Sequence, residues 1–300
     1  MKDSNRPLEV DRQQKAPRYT SFHEVVTEAQ QLGRAVGAFT CYNATQAIAV
    51  LAAAEERDRS VILLLSAGAF ESPHGQRLAL VLVDLAARSS VPAVVQIDHA
   101  TDLRSIRAAL GCGVGAVMAD GAKLPTSENR ELVTQTAAVA AAYGAGVEAE
   151  LGYIAGDEDS TTVERVADIG AFTDPEVAQE FCAGGGVDCL AVAVGNVHGK
   201  YRFEPRLDWP LLATLREEVA VPLSLHGASG LASDDIRRAV ATGVAKVNIN
   251  TELREAYVTA LTRALADVRG STNLLSLEQA LISATRRVVD EKMDLLEATS

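Results

Sequence analysis

Three of the five histidines in the 300-residue chain closely follow short apolar runs that are typical of buried β-strands. They are His99, His198 and His226. If the three strands belong to one barrel, their carboxyl ends meet at one rim and bring the imidazoles together. Three neutral imidazoles with an open coordination position are a common catalytic zinc arrangement, because substrate oxygens can reach the metal. The other two histidines, His23 and His74, lie in or before helical segments and are expected to take no part in this chemistry.

Carboxylates are found at the same predicted rim. Asp98 directly precedes His99, and alternation along an extended strand points its side chain differently, so that it could face substrate while the imidazole faces metal. This position suits general acid–base catalysis, with capping of the next helix as the alternative. Glu148 and Glu150 share one strand face, where either could orient a metal-bound histidine, bind a second cation or form an internal ion pair.

A long irregular interval covers residues 151–173, which contain glycines and acidic residues but no clear helical periodicity. Loops of this length inside a compact domain are often functional lids. Asp157, Glu158 and Asp159 lie in the interval and could bring a base over the site when the loop closes, with a solvated surface segment as the alternative.

Glycine-flanked polar segments follow the last three strand-like runs. Their backbone N–H groups and hydroxyls could bind a phosphate, as barrels often do after their seventh and eighth strands, although a tight turn is the alternative. Two residues near the start of the chain could line the same pocket, or could instead cap helices. The substrate-side candidates are Asn43, Ser66, Gly199, Lys200, Gly227, Ser229, Asn250 and Thr251.

Eight apolar runs have the length and composition of strands: Val36–Phe39, Val61–Leu65, Ala93–Ile97, Ala116–Ala119, Gly146–Ala149, Cys189–Val194, Leu223–Leu225 and Val244–Ile249. Segments with helical periodicity lie between them, at 44–58, 75–89, 102–110, 127–143, 174–183, 208–219 and 233–241. The candidate N-caps are Thr101, Ser127, Asp174 and Ser233. This alternation predicts an α/β protein with a (β/α)8 TIM barrel and additional terminal helices at 251–296, with an open doubly wound sheet as the alternative.

Composition limits the partners. The net charge of −12 and the 4% aromatic content argue against nucleic acid and anionic membranes, and favour a small partner. The N-terminal segment is polar and no apolar run is long enough to span a bilayer, so we expect a cytoplasmic protein. The four cysteines form no CxxC pair and are expected to be buried free thiols. We expect residues 1–20 to form an extension and residues 21–300 a single barrel domain.

Six segments, in the order in which they occur, resemble the class II, metal-dependent fructose-bisphosphate and tagatose-bisphosphate aldolases. They are residues 97–99 (Ile-Asp-His), 117–121 (Val-Met-Ala-Asp-Gly), 147–152 (Val-Glu-Ala-Glu-Leu-Gly) followed by 156–159 (Gly-Asp-Glu-Asp), 195–199 (Gly-Asn-Val-His-Gly), 225–230 (Leu-His-Gly-Ala-Ser-Gly) and 246–253 (Lys-Val-Asn-Ile-Asn-Thr-Glu-Leu). The resemblance covers the chain from about Gly37 to Leu253.

The resemblance implies a homodimer or homotetramer with Zn²⁺ on the three rim histidines. Asp98 would exchange a proton with the aldehyde oxygen, and Glu158 would move the proton at the carbon of dihydroxyacetone phosphate. Asn248 would steady the enediolate. Asp120 and Glu150 match positions associated with a second or displaced divalent metal. Four further residues match the phosphate and monovalent-cation loops, namely Gly199, Gly227, Ser229 and Thr251.

The leading hypothesis is therefore a zinc-dependent aldolase that reversibly cleaves fructose or tagatose 1,6-bisphosphate to dihydroxyacetone phosphate and an aldehyde such as glyceraldehyde 3-phosphate. Asn250 departs from both branches of the family, so the same mechanism could act on a different ketose 1-phosphate. A Schiff-base aldolase that uses Lys246 or Lys200 is a second enzyme class. A sugar-phosphate-binding homologue without turnover is a third hypothesis.

Overall fold

The computed structural model describes residues 20–156, 170–199, 204–267 and 273–297. Strands and helices alternate along these residues. In chain order the elements are α1 (Phe22–Gln31), β1 (Val36–Thr40), α2 (Ala44–Arg57), β2 (Val61–Ser66), α3 (Ala67–Glu71), α4 (Gly75–Ala87), β3 (Ala93–Ala100), α5 (Leu103–Gly111), β4 (Ala116–Ala119), α6 (Thr126–Ala141), β5 (Gly146–Leu151), α7 (Pro175–Ala183), β6 (Cys189–Val192), α8 (Trp209–Glu218), β7 (Leu223–Leu225), α9 (Ser233–Thr242), β8 (Val244–Ile249), α10 (Thr251–Asp267) and α11 (Leu274–Leu295).

The strands form a closed barrel in the order β1 to β8. All neighbouring pairs are parallel, and β8 returns to pair with β1, where Ala38 lies opposite Asn248. The predicted (β/α)8 barrel with additional terminal helices is confirmed, and the open-sheet alternative is excluded. Closure brings the carboxyl ends of all eight strands to one rim.

Most helices begin within two residues of their predicted starts. Asp174 caps α7 as predicted, since its carboxylate accepts a hydrogen bond from the Val177 N–H at 3.2 Å. The predicted cap Thr101 is wrong by one residue, because the carboxylate of Asp102 accepts hydrogen bonds from the N–H groups of Arg104 and Ser105. Two further predicted caps, Ser127 and Ser233, lie inside helices whose caps are Pro125 and Ala232.

The amino-terminal end of the barrel is closed by α1. Phe22, Val25, Val26 and Ala29 on this helix pack with inward-facing strand residues into one buried cluster. Gly146, at the start of β5, makes room for the helix, because a Cβ there would lie 2.7 Å from the Phe22 side chain. In the part of the chain that the structure describes, α1 thus blocks the amino-terminal end of the barrel, and a substrate can approach the carboxyl-terminal rim.

All four cysteines are free thiols, as predicted. Cys41, Cys182 and Cys189 are buried, and burial raises the pKa of each thiol, that of Cys182 to about 12. Cys112 is only partly buried. These thiols are therefore protonated and packed rather than reactive. Among the described residues, no helix combines the length and the apolar character that a membrane span requires.

Candidate active site

A β-bulge at the end of β3 positions Asp98 and His99. The register with β4 shifts between Ile97 and Ala100, and His99 has a φ of 54°, in the left-handed region that non-glycine residues rarely adopt. Simple strand alternation was the expected reason for the divergence of the two side chains. The bulge instead brings both side chains to the rim, where each has a different partner.

Three imidazoles lie together at this rim. The ring centroid of His99 is 4.8 Å from that of His198 and 5.0 Å from that of His226. One ring nitrogen from each histidine lies within 4.8 Å of the other two. His23 lies outside the group and is 3.1 Å from Asp188, and His74 precedes α4. The predicted selection of three histidines from five thus corresponds to one spatial cluster.

Carboxylates determine which nitrogen of two of these rings carries the proton. His99 Nδ1 is 2.9 Å from Asp120 Oδ2, and His226 Nε2 is 2.9 Å from Glu148 Oε1. An ionised carboxylate can only accept, so the proton lies on these two nitrogens. The lone pairs then lie on His99 Nε2 and His226 Nδ1, which face each other at 3.1 Å. Two facing lone pairs repel unless a cation lies beside them, so the donor set fits a metal ion.

The charges support this assignment. Burial alone would raise the pKa of Asp120 and of Glu148, but hydrogen bonds and nearby positive charge outweigh it and hold both pKa values below their usual range. Burial also holds the pKa of His198 well below normal, helped by repulsion from the other two imidazoles. Burial lowers the pKa of His226 despite the opposing attraction of Glu148. His198 and His226 are therefore neutral at pH 7, as metal ligands must be.

A second group shares His99. One ligand atom each from His99, Asp120 and Glu150 lies within 4.8 Å of the other two. Glu150 Oε1 accepts the Ile154 N–H at 3.1 Å, and its Oε2 has no hydrogen-bond partner among the described residues. Burial raises the pKa of Glu150 to about 8, and Asp120 adds to the rise while His99 opposes it. The group offers carboxylate oxygens beside one ligand of the first group, as a second or displaced divalent ion would require.

The raised pKa of Glu150 predicts how the stability of the metal-free protein depends on pH. Its folded pKa of about 8 exceeds the ordinary 4.5, so the folded state holds the extra proton and the free energy of unfolding falls as pH rises through that interval. The lowered pKa values of His198 and His226 make the free energy of unfolding rise with pH, but this rise ends at about pH 7, where both rings are neutral in the folded and unfolded states. Between about pH 7 and 8, the Tm of the chelated protein should therefore fall, and Glu150→Gln should remove that fall.

Differential scanning fluorimetry of the two chelated proteins measures this difference. Glu217→Gln, which changes an exposed carboxyl on α8, is the matched control and should follow the wild-type profile. Parallel profiles for wild type and Glu150→Gln would show that Glu150 does not titrate in this interval.

Asp98 and Asn248 face each other across the barrel interior. Asn248 Nδ2 donates to Asp98 Oδ2 at 3.0 Å and lies 3.4 Å from His226 Nδ1. Asp98 is fully buried, and its Oδ1 makes no hydrogen bond with any residue that the structure describes. A buried carboxylate oxygen without a protein donor is suited to receive a hydroxyl of a bound substrate.

Lys246 lies below this pair and is fully buried. Its Nζ is 2.9 Å from Glu148 Oε2. Burial alone would lower the pKa of Lys246, but the attraction of Glu148 and Asp98 outweighs burial and raises it. A protonated amine in an ion pair is not a nucleophile, which argues against the Schiff-base alternative at Lys246. Of the alternatives open for Glu148, the structure shows two at once, the histidine contact and the internal ion pair.

Gln96 is a site residue that the sequence analysis missed. Its Nε2 donates to Glu148 Oε2 at 2.5 Å inside the barrel. Gln96 lies two residues before Asp98, as Lys246 lies two residues before Asn248, so both share a strand face with a candidate catalytic group. A polar residue at this spacing within an apolar run is the pattern that could have identified it.

The phosphate-side candidates lie around the loops after β6, β7 and β8. Gly227 has a φ of 61°, and a Cβ there would lie 2.1 Å from the Val197 carbonyl oxygen, so only glycine fits. Ser229 Oγ donates to Glu252, which also accepts from Lys292 Nζ of α11 at 2.7 Å. Gly199 also has a positive φ, of 81°, and Thr251 is the first residue of α10.

The remaining candidates make contacts that the sequence left open. Asn250 Nδ2 donates to the Tyr42 hydroxyl at 3.1 Å. Asn43 and Ser66 cap α2 and α3 by accepting hydrogen bonds from backbone N–H groups at 2.9 and 3.2 Å, which was the stated alternative for both. Glu158 and Lys200, together with Asp157 and Asp159, lie outside the described residues.

The fold is a (β/α)8 barrel, and its carboxyl-terminal rim carries residues that could hold a metal ion. The family model described as class II fructose-bisphosphate aldolase matches residues 20–300. The chain belongs to this family, whose members are metal-dependent lyases.

Relatives agree with this assignment. The chain is 39% identical to the D-tagatose-1,6-bisphosphate aldolase subunit GatY of Klebsiella oxytoca over 241 residues, which cover 80% of this chain and 84% of that protein. The crystal structure of the YdjI aldolase from Escherichia coli K12 matches with a TM-score of 0.81 and 31% identity, over 93% of this chain and 97% of that chain. A fructose-1,6-bisphosphate aldolase candidate from Coccidioides immitis matches with a TM-score of 0.83 and 31% identity, over 92% and 96%.

Proposed function

We propose that this protein is a zinc-dependent aldolase that reversibly cleaves a tagatose- or fructose-type ketose 1,6-bisphosphate to dihydroxyacetone phosphate and glyceraldehyde 3-phosphate. The observation that carries the proposal is the pair of imidazole lone pairs, on His99 and His226, that face each other at 3.1 Å beside His198. The name of the Klebsiella relative supports the tagatose bisphosphate.

Three imidazole nitrogens favour Zn²⁺ over Mg²⁺, which prefers oxygen ligands. The bound ion supplies Lewis-acid stabilisation of the negative charge that develops next to the substrate carbonyl on cleavage. The second group, which contains Asp120 and Glu150, would hold a displaced or second divalent ion.

Asp98 accepts the proton of the C4 hydroxyl in cleavage and returns it to the aldehyde oxygen in condensation. Its Oδ1 is buried and receives no hydrogen bond from the described residues, so the substrate hydroxyl has a position to occupy. The opposite oxygen, Oδ2, is held by Asn248 at 3.0 Å, which fixes the carboxylate plane. A positioned base of this kind contributes about 10²- to 10⁴-fold to a rate.

Asn248 steadies the enediolate through its amide N–H groups, because Nδ2 lies 3.4 Å from His226 Nδ1 and therefore next to the proposed metal. The resemblance assigns the proton transfer at the carbon of dihydroxyacetone phosphate to Glu158 in the loop after β5. This role remains a proposal for a residue outside the described ranges.

The substrate phosphate binds at the loops after β6, β7 and β8. Backbone N–H groups of Gly199 and Gly227, the hydroxyl of Thr251, and Lys200 supply the donors. The Ser229 hydroxyl becomes a donor when the phosphate replaces its hydrogen bond to Glu252. The monovalent cation that the family resemblance implies would bind at the same loops. These local groups reconcile a phosphorylated substrate with a net charge of −12.

The second end of the ketose is selected by Asn250 and by Asn43 and Ser66 at the ends of β1 and β2. Asn250 is held by the Tyr42 hydroxyl, so its amide has a defined direction. If the substrate is a different ketose 1-phosphate, Asn250 would distinguish the part of that ketose that becomes the aldehyde product.

We further propose that residues 21–300 act as one domain in a cytoplasmic homodimer or homotetramer. Exposed apolar side chains on α10 and at the start of α11 support a homo-oligomer, since a partner subunit could cover them. They are Val258, Leu265, Leu274 and Leu275.

The deciding experiment is a coupled assay of dihydroxyacetone phosphate release across a panel of ketose phosphates, with chelated and zinc-loaded protein. We expect release from tagatose or fructose 1,6-bisphosphate with zinc, background rates after chelation, and recovery when zinc is returned. Borohydride with substrate should trap no adduct, since Lys246 is in an ion pair. Full turnover in the metal-free protein, or a borohydride adduct, would exclude the proposal, and binding without turnover would favour the sugar-phosphate sensor.

A further inference from the structure

A buried ion pair lies beneath the candidate metal group, and its lysine has no assigned role in the reaction. Lys246 and Glu148 are both 0% exposed, and Nζ of one is 2.9 Å from Oε2 of the other. Removing two charges from water costs about as much as their attraction returns, so such a pair is weak evidence for a stabilising role. Its contacts indicate what else it does.

Glu148 holds one candidate metal ligand. Its Oε1 accepts from His226 Nε2 at 2.9 Å, while Lys246 and Gln96 both donate to its Oε2. Donors on both oxygens prevent the carboxylate from rotating. The ring of His226 is therefore fixed in orientation and tautomer, with the Nδ1 lone pair directed at His99.

Lys246 holds the candidate enediolate donor. Its Nζ donates to Asn248 Oδ1. An ammonium has donors and no acceptor, so it can face only the oxygen of the amide. The NH₂ of Asn248 is consequently turned to the other side, toward Asp98 Oδ2 at 3.0 Å and His226 Nδ1 at 3.4 Å. Asp98 Oδ2 accepts from the NH₂ side and Lys246 donates to the Oδ1 side, so the two residues hold the amide from opposite ends. With a neutral apolar residue at 246, the buried Oδ1 would lose its donor and the amide would be held from one side only.

We propose that Glu148 and Lys246 form one positioning unit, in which Glu148 sets the metal-binding tautomer of His226 and Lys246 anchors the Oδ1 end of the Asn248 amide opposite Asp98. The inference rests on the proposed aldolase function. It reassigns Lys246 from a candidate nucleophile to a positioning residue. It also explains why two charges are retained inside the barrel, where strand residues are otherwise mostly apolar.

The two ends of the unit predict separable effects. Glu148→Gln should weaken zinc affinity by about 10- to 100-fold, as loss of the carboxylate partner of a ligating histidine usually does, and should shift the visible spectrum of the Co²⁺-loaded protein. Lys246→Met should leave the affinity for Zn²⁺ within about threefold, because His226 keeps its carboxylate, yet lower kcat on the order of 10²-fold, as loss of one oriented donor does. KM for the ketose bisphosphate should change little in Lys246→Met.

The experiment measures the Kd for Zn²⁺ by competition with a chromophoric chelator, the Co²⁺ spectrum, and the kcat and KM of the metal-loaded enzyme. Ser224→Ala is the matched control, because Ser224 is buried in β7 with no hydrogen-bond partner among the described residues, and it should match wild type in all three. If a single variant fails to fold, the neutral double variant Glu148→Gln/Lys246→Met replaces it, since it leaves no unpaired buried charge. It should show both losses.

A wild-type Kd, Co²⁺ spectrum and kcat in the folded double variant would overturn the inference. So would equal losses of metal affinity in Glu148→Gln and Lys246→Met, which indicate a merely structural pair. The metal affinity and the Co²⁺ spectrum require no turnover. A wild-type protein that binds metal but cleaves no ketose phosphate would therefore refute the proposed function alone, and the Glu148 end of the unit would still be tested.

Discussion

Asp98→Asn should lower kcat for ketose bisphosphate cleavage by about 10³-fold while leaving zinc content unchanged, because general base catalysis contributes about 10²- to 10⁴-fold. The amide is nearly the same size as the carboxylate, and its oxygen can still accept the Asn248 N–H that Asp98 Oδ2 accepts at 3.0 Å. What it lacks is the basicity of the buried Oδ1, which has no donor among the described residues. Steady-state kinetics and metal analysis on the same preparation measure the two quantities.

Asp102→Asn is the matched control for this prediction, because Asp102 lies four residues further along the chain and caps α5. Asn is an equally good N-cap, so turnover should remain near that of wild type. A zinc-replete Asp98→Asn protein with wild-type turnover would remove Asp98 from proton transfer. Loss of zinc from the variant would instead show that the carboxylate supports the metal group.

The barrel could be predicted in detail because parallel barrel strands are buried on both faces. The sequence of such a strand is a short apolar run, and polar residues follow it at the rim. All eight observed strands begin at their predicted residues, including the three-residue β7. The five-residue α3 was not predicted, because so short a segment has no measurable periodicity.

The site was predictable only as a list of rim residues. The bulge at His99 depends on the pairing of β3 with β4. Position 99 is not a glycine, so the sequence carries no sign of the positive φ found there. The contact between Glu148 and Lys246 joins β5 to β8, which are not neighbours in the barrel, so only closure brings them together. The position of a residue just after a strand therefore indicated that it could react. Closure of the barrel determined which of these residues hold one another in place.

His99 has a special place in this arrangement, because it belongs to both groups that could hold a metal ion. His99→Asn should therefore weaken zinc binding by more than the about 10- to 100-fold that loss of an outer hydrogen-bond partner costs. Turnover should fall by at least about 10³-fold, since loss of the ion removes several kcal/mol of charge stabilisation. Asn is the appropriate replacement, because it tolerates the left-handed φ of 54° better than Ala, so the bulge can persist.

Metal analysis, zinc titration and the cleavage assay measure the effect, and circular dichroism verifies the fold. The imidazole of His99 is 19% exposed, so its removal leaves a water-accessible space rather than a sealed cavity, and the barrel should remain folded. His74→Asn is the matched control, because His74 is exposed before α4, outside both metal groups, and should leave zinc binding and turnover unchanged. A His99→Asn protein that binds zinc with wild-type affinity would exclude His99 as a ligand and leave His198 and His226 to hold the ion with a carboxylate.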